Sequence, residues 1–219
     1  MNRVLGLVLI SLLAGGCATT GGVSSFKNAS DTSSVREKES RLWHEAGGFD
    51  TTIERSGQIY DDRRATAYLQ GVMDRLYPEF KGKIQVHIYD STQLNAFALP
   101  NGSIYFNIGL LARIENEAQL ATVLAHEAAH FIERHSFRQR VSAKNAAAFA
   151  VSGIPFSSLA AISSISGFSR DFEREADQKG YERLVRTGYN PNEAHKVFQQ
   201  LANEVKALGT EEPYFFSSH

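Results

Sequence analysis

The sequence predicts an α+β domain, mainly helical, with a small sheet. Three observations predict it. Apolar residues recur at helical spacing in several stretches, Ala65, Leu69, Val72 and Leu76 among them. Two short stretches, 83–89 and 103–108, alternate apolar and polar residues instead, and a Pro100-Asn101-Gly102 turn separates them. A helical stretch also carries His126-Glu127-Ala128-Ala129-His130, which sets two histidines one turn apart on one helix face.

With 219 residues the chain is long enough for one domain with a substantial core. Its 42% hydrophobic and 21% charged residues describe a globular protein rather than a disordered one. A net charge of -1 without a basic stripe argues against nucleic acid as a partner. Cys17 is the only cysteine, so no internal disulfide can form.

Residues 1–16 have the pattern of a signal peptide. Arg3 supplies a positive start, Val4 to Leu13 is apolar, and Ala14-Gly15-Gly16 are small. The apolar run is shorter than the roughly 20 residues of a membrane span. Cysteine directly after small residues resembles a bacterial lipobox, with Leu13 four places before Cys17 instead of the usual three. The expected product begins at a lipidated Cys17, and several acyl chains anchor it to the membrane. Ala18 after the cysteine favours the outer membrane by resemblance to bacterial sorting rules. The Gly-, Ser- and Thr-rich residues 17–34 then form a flexible tether, and residues 35–219 form the domain.

Val35 to Ala46 reads as a first helix ended by Gly47-Gly48, with Leu42 and Trp43 on its apolar side. Asp61-Asp62 opens a second, whose apolar face also includes Tyr68, and Pro78 closes it. Lys83 to Tyr89 reads as a half-buried strand, with His87 on its solvated face. Asn95 to Asn107 reads as a hairpin. It is either an ordinary one or one whose edge pairs with an extended peptide by strand addition. Glu117 to Arg140 reads as one helix carrying the two histidines. Ala143 to Phe168, rich in Ala, Ser and Gly, reads either as packed small-residue helices or as a mobile or membrane-touching cover. Another helix follows from Phe168 to Gly188, and Asn190-Pro191-Asn192-Glu193 starts the last one.

His-Glu-x-x-His on a helix is a zinc metallopeptidase signature, with the two histidines as ligands and the glutamate as general base. Zinc catalysis needs a third ligand and one open position. A metzincin would place glycine and histidine three and six residues after His130, where this chain has Glu133 and Ser136. His135 follows at a spacing that turns a continuous helix away from the shared face, and reads as a local contact. Glu173 and Asp177 share a helical face. They are either a solvated charged face, or a ligand (Glu173) with a carboxylate (Asp177) that orients a ligand histidine.

Three motifs occur together in order: Asn95-Ala96-Phe97-Ala98-Leu99-Pro100-Asn101-Gly102, His126 to His130, and Ser169-Arg170-x-x-Glu173-x-x-Ala176-Asp177. With them the chain resembles the HtpX, Oma and CAAX-prenyl-protease family of zinc metallopeptidases, and within it the soluble periplasmic branch of BepA and LoiP. The resemblance covers residues 35–219. It implies a gluzincin-type zincin fold, with one Zn2+ held by His126, His130 and Glu173. It makes Glu127 the catalytic base, Asp177 the partner of a ligand histidine, and Asn95 to Gly102 a substrate-binding edge. His219 stands about where the branch carries a later histidine near the metal, and the family's pattern usually continues past this point. His219 and Arg170 are the candidates for the further donor to the transition state.

The implied activity is that of a zinc-dependent endopeptidase of the bacterial envelope, lipid-anchored in the periplasm and acting on misfolded or misassembled envelope proteins. Two alternatives stand beside it. One is a non-catalytic chaperone or assembly factor for outer-membrane proteins with a structural metal. The other is a zinc amidase acting on cell-wall peptides.

Overall fold

The computed structural model describes residues 25–26, 31–145 and 168–208. Cys17 and His219 lie outside these residues, as do the signal segment, most of the tether and residues 146–167 of the small-residue stretch. No helix among the described residues is long and apolar enough to cross a membrane.

Helix α1 (Ser33–Ser56) starts at Thr32, whose hydroxyl accepts from the Val35 N–H, and ends at Gly57 in the left-handed conformation. It runs straight through Gly47-Gly48, where the sequence suggested a stop. Leu42, Ala46 and Ile53 are buried on one stripe across the glycines. Thr51 and Thr52 donate hydroxyl bonds to the Gly47 and Gly48 carbonyls, at 3.0 and 2.9 Å. Burial of that stripe outweighs a helix penalty of about 1 kcal/mol per glycine. Helix α2 (Arg63–Leu76) begins as expected, with Asp62 accepting from the N–H groups of Arg64 and Ala65, and buries Leu69, Val72, Met73 and Leu76. Tyr68 departs from the expected face: it is 50% exposed, and its hydroxyl donates to Glu117.

Three strands follow: β1 (Gln85–Tyr89), β2 (Ala96–Ala98) and β3 (Ser103–Asn107), in the order β1-β3-β2. The central β3 runs parallel to β1 and antiparallel to β2. Every residue of β3 is buried, because both faces of the sheet are covered. Ile84, Val86, Ile88, Ile104 and Phe106 join the main core with Leu69, Met73 and Leu124. On the other face Tyr105 packs with Ala46 and Ile53 of α1. That cover corrects the reading of His87 as solvated. It is half-buried, stacked on Tyr105 at 5.1 Å, with Phe97 stacked on the same ring from β2.

Asp50 of α1 fastens the hairpin. It accepts from Tyr105 Oη (2.7 Å), Asn101 Nδ2 (2.6 Å) and Ser103 Oγ (3.0 Å). At the turn, Gly102 has φ +97°, and a Cβ there would lie 2.4 Å from the Lys83 carbonyl oxygen, so only glycine fits.

After the short α3 (Ile108–Leu111) comes α4 (Glu117–Ile132), capped by Asn116. The single helix expected over 117–140 is in fact two, because the chain breaks at Glu133-Arg134 and restarts as α5 (His135–Asn145). Arg134 has φ 60°, the left-handed cap conformation that usually falls to glycine. Its buried guanidinium explains why arginine stands there. Nε and Nη2 donate to Glu39 at 2.8 and 2.6 Å, Nη1 pairs with Asp31 at 2.8 Å, and the group lies over the rings of Phe26 and Phe137. Helices α6 (Arg170–Arg186) and α7 (Asn192–Leu208) start close to their expected positions. Ser169 caps the first, and Asn190 Oδ1 accepts from the Asn192 N–H at the second. Helix α6 packs closely on α4: a Cβ on Gly180 would lie 3.2 Å from the His126 nitrogen.

Candidate metal centre

Helix α4 is buried from Gln119 to Ile132, between α2 and the sheet on one side and α6 and α7 on the other. Buried ionisable groups in such a helix need partners. His126, Glu127 and His130 are 2%, 3% and 3% exposed, and each has them.

His126 Nδ1 lies 2.9 Å from Asp177 Oδ1. Its Nε2 lies 3.0 Å from His130 Nε2 and 3.3 Å from Glu173 Oε2, and His130 Nε2 lies 3.7 Å from the same carboxylate oxygen. The chemistry of this donor set, two imidazole nitrogens and one carboxylate, suits zinc. A tetrahedral ion with bonds of about 2.0–2.1 Å needs donors about 3.3–3.4 Å apart, and the three measured edges of 3.0, 3.3 and 3.7 Å bracket that value. Among the described residues this is the group that could hold a metal ion.

Glu127 is not in the triangle. The backbone N–H of Ala98 faces its carboxylate and favours the charged form. The pairing of β2 explains why that N–H is free: Phe97 is paired to Tyr105 of β3, so its neighbours Ala96 and Ala98 turn their backbone groups to the outer edge. The sheet edge therefore reaches the helix at the glutamate.

The electrostatics describe a site short of positive charge. Burial pushes the Glu127 carboxyl up to about 7, helped by the negative charge of Glu173 and opposed by His126 and the Ala98 bond. For Glu173 burial acts upward too, but hydrogen bonds to His126 and His130 hold it well below the usual carboxylate range. Burial pulls His126 down, yet bonds to Asp177 and Glu173 and the charge of Glu127 outweigh it and raise the imidazole to about 10. His130, mainly through burial, falls to about 4. His126 thus lies among the carboxyl groups of Asp177, Glu173 and Glu127, whose pull on a positive charge a metal cation at this place would satisfy.

His135 stands outside the donor triangle, a contact rather than a ligand as its spacing suggested, but the residue it contacts is His130 itself. His135 is fully buried, with Nδ1 2.9 Å from His130 Nδ1 and Nε2 3.2 Å from Glu175 Oε2. A continuous helix would have turned it away, whereas the left-handed bend at Arg134 returns it beneath His130. Phe168 stacks on the His130 ring at 4.1 Å, and Phe172 stacks on His135 at 4.7 Å.

Of the other sequence candidates, Arg170 is exposed at the first residue of α6. The expected edge Asn95 to Gly102 narrows to Ala96, Phe97 and Ala98. Leu99 is buried beneath α1, Asn101 is bonded to Asp50, and Pro100 and Gly102 are buried at the turn.

The pattern of peptidase family M48 matches residues 63–219. The chain is 28% identical over 172 residues to the beta-barrel assembly-enhancing protease of Yersinia pestis, covering 69% of this chain and 35% of that protein. It is 33% identical over 133 residues to the mitochondrial metalloendopeptidase OMA1 of Schizosaccharomyces pombe, covering 54% and 38%. With the Arabidopsis thaliana protein of the same name it shares 27% over 197 residues, covering 81% and 38%. The chain thus spans about a third of the length of the curated relatives it matches.

Proposed function

The chain belongs to peptidase family M48, and from that premise we propose that it is a zinc-dependent endopeptidase of the bacterial cell envelope. The observation that carries the reading is the donor triangle of His126, His130 and Glu173, with Glu127 held beside it by the sheet edge. His126, His130 and Glu173 would hold the ion. Bound there, zinc supplies a Lewis acid that polarises a scissile carbonyl and lowers the pKa of water to about 7.

The chain's own groups do the rest. Glu127, raised to about 7 by burial, sits near the pH at which a general base takes a proton from water and later returns it to the leaving amine. The outward backbone groups of Ala96 and the Ala98 carbonyl pair with an extended substrate, so that recognition rests on main-chain bonds and accepts many sequences. Asp177 orients His126 through Nδ1. Arg170 and His219 are the candidates for a further donor to the oxyanion.

Residues 1–16 act as a signal peptide, Cys17 carries the lipid, and residues 17–34 tether the domain at residues 35–219 to the periplasmic side of the outer membrane. The substrates are misfolded or misassembled envelope polypeptides. The name of the Yersinia relative, a beta-barrel assembly-enhancing protease, supports that class. A structural metal in a chaperone would have no use for Glu127, and no feature of the site favours a cell-wall peptide.

Glu127→Gln tests the reading. The variant should bind zinc as tightly as wild type and fail to cleave unfolded casein, with kcat lower by at least about 1,000-fold, as expected for loss of an essential base. Cleavage at the wild-type rate would refute it.

A further inference from the structure

We propose that His135 and Glu175 form a relay that fixes the ring orientation and tautomer of His130, making His135 a positioning residue for the metal centre. The inference rests on the reading that His130 holds the ion.

The relay has a direction, set from its outer end. The Glu175 carboxylate can only accept hydrogen bonds. Arg138 Nη1 donates to Glu175 Oε2 at 2.7 Å, and His135 Nε2 stands 3.2 Å from the same oxygen. His135 Nε2 must therefore carry a proton, since the other tautomer would set a lone pair against the carboxylate. Arg138 already offsets the carboxylate charge, and His135 is fully buried against Phe172, so its imidazole is neutral and its Nδ1 is an acceptor. His130 Nδ1, 2.9 Å away, must then be the donor. The remaining nitrogen, His130 Nε2, is left with its lone pair on the side of His126 and Glu173. That is the form in which an imidazole ligates a metal.

His126 is oriented by a shorter route, through Asp177 on its Nδ1. The two ligand histidines are thus each held by a carboxylate from α6, Glu175 through His135 and Asp177 directly, two residues apart on that helix. The bend at Arg134 is what makes the second route possible. Without its left-handed turn, His135 would continue around the helix and His130 Nδ1 would lose its partner.

The test compares His135→Leu, which removes the acceptor, with His135→Asn, whose Oδ1 takes nearly the place of the imidazole Nδ1. Zinc affinity of the full chain is measured by competition with a chelator. The His130 tautomer in the metal-free protein is read from 15N–1H couplings in NMR. His135→Leu should weaken zinc binding by about 10–100-fold, and His135→Asn should stay within about threefold of wild type. Wild-type His130 should show its proton on Nδ1.

Equal weakening by Leu and Asn would mean that His135 only packs, and would overturn the relay, as would no weakening by Leu. If His135→Leu fails to fold, the Asn variant and the wild-type tautomer decide, and a proton on His130 Nε2 overturns the proposal. Failure of the wild type to bind zinc would sink the proposed function, while the tautomer would still decide the relay.

Discussion

Gly180 is where α6 comes closest to the helix that carries the histidines, and replacing it with alanine should separate stability from metal binding. A Cβ there would lie 3.2 Å from the His126 nitrogen, 3.3 Å from the Ala125 carbonyl carbon and 3.4 Å from the His126 Cα. All three neighbours are backbone, so α6 itself must shift by a few tenths of an ångström. Alanine gains about 1 kcal/mol of helix propensity over glycine, and overpacking costs about 1–3 kcal/mol. The metal-free protein should therefore lose about 0–2 kcal/mol by urea denaturation. The site should suffer more. Asp177 and Glu173 stand one and two turns before Gly180, and their contacts of 2.9 and 3.3 Å with His126 ride on the same helix. Zinc affinity should fall about tenfold, which appears as about 1.4 kcal/mol less stabilisation by saturating zinc. If Gly180→Ala raises the stability of the metal-free protein and leaves zinc affinity unchanged, the close approach of α6 does not set the site's geometry.

Zinc uptake should depend on pH. His126 is raised to about 10 in the metal-free protein, so at neutral pH an ion must displace its proton, and affinity should climb about tenfold per pH unit between pH 7.5 and 8.5. Below that, Glu127 at about 7 adds a second proton and steepens the slope, whereas His130, at about 4, is already neutral. A flat chelator-competition profile over pH 6–8.5 would refute the proton's place. The stability of the metal-free protein carries the same sign. The folded imidazole holds its proton more tightly than the 6.5 of the free side chain, so its contribution is complete below pH 6.5 and lost as pH rises through about 10. Arg134→Met should cost about 3–5 kcal/mol in urea denaturation, because it strands the Glu39 and Asp31 carboxylates. A loss under about 1 kcal/mol would mean that the triad does not hold the bend.

What the sequence revealed was local. The Asp62 cap, the Pro100-Asn101-Gly102 turn, the start of the last helix and the His126–His130 face all rest on interactions within a few residues, and the structure contains each. The misreadings came where distant packing overrode a local rule. Gly47-Gly48 stays helical because Ala46 and Ile53 are buried beside Tyr105, a residue from another element. His87 is covered because α1 continues past those glycines. The break at Glu133-Arg134 has no glycine or proline to mark it. It depends on Glu39 and Asp31, far away in the chain, and nothing near His135 announces that it folds back.

The same long-range contacts explain how the site can exist before any ion arrives. Gathering Glu127, Glu173 and two imidazoles in a buried space opposes folding, and the fold offsets this with fixed partners. Ala98 N–H serves Glu127, Asp177 serves His126, and His135 serves His130. All three partners come from elements other than α4, so the donor triangle keeps its shape only while β2, α5 and α6 stay docked on that helix. The proton on His126 completes the balance provisionally. Zinc would replace one positive charge with two at nearly fixed donor positions, so its binding would spend little on reorganising the chain and would stabilise the docked elements together.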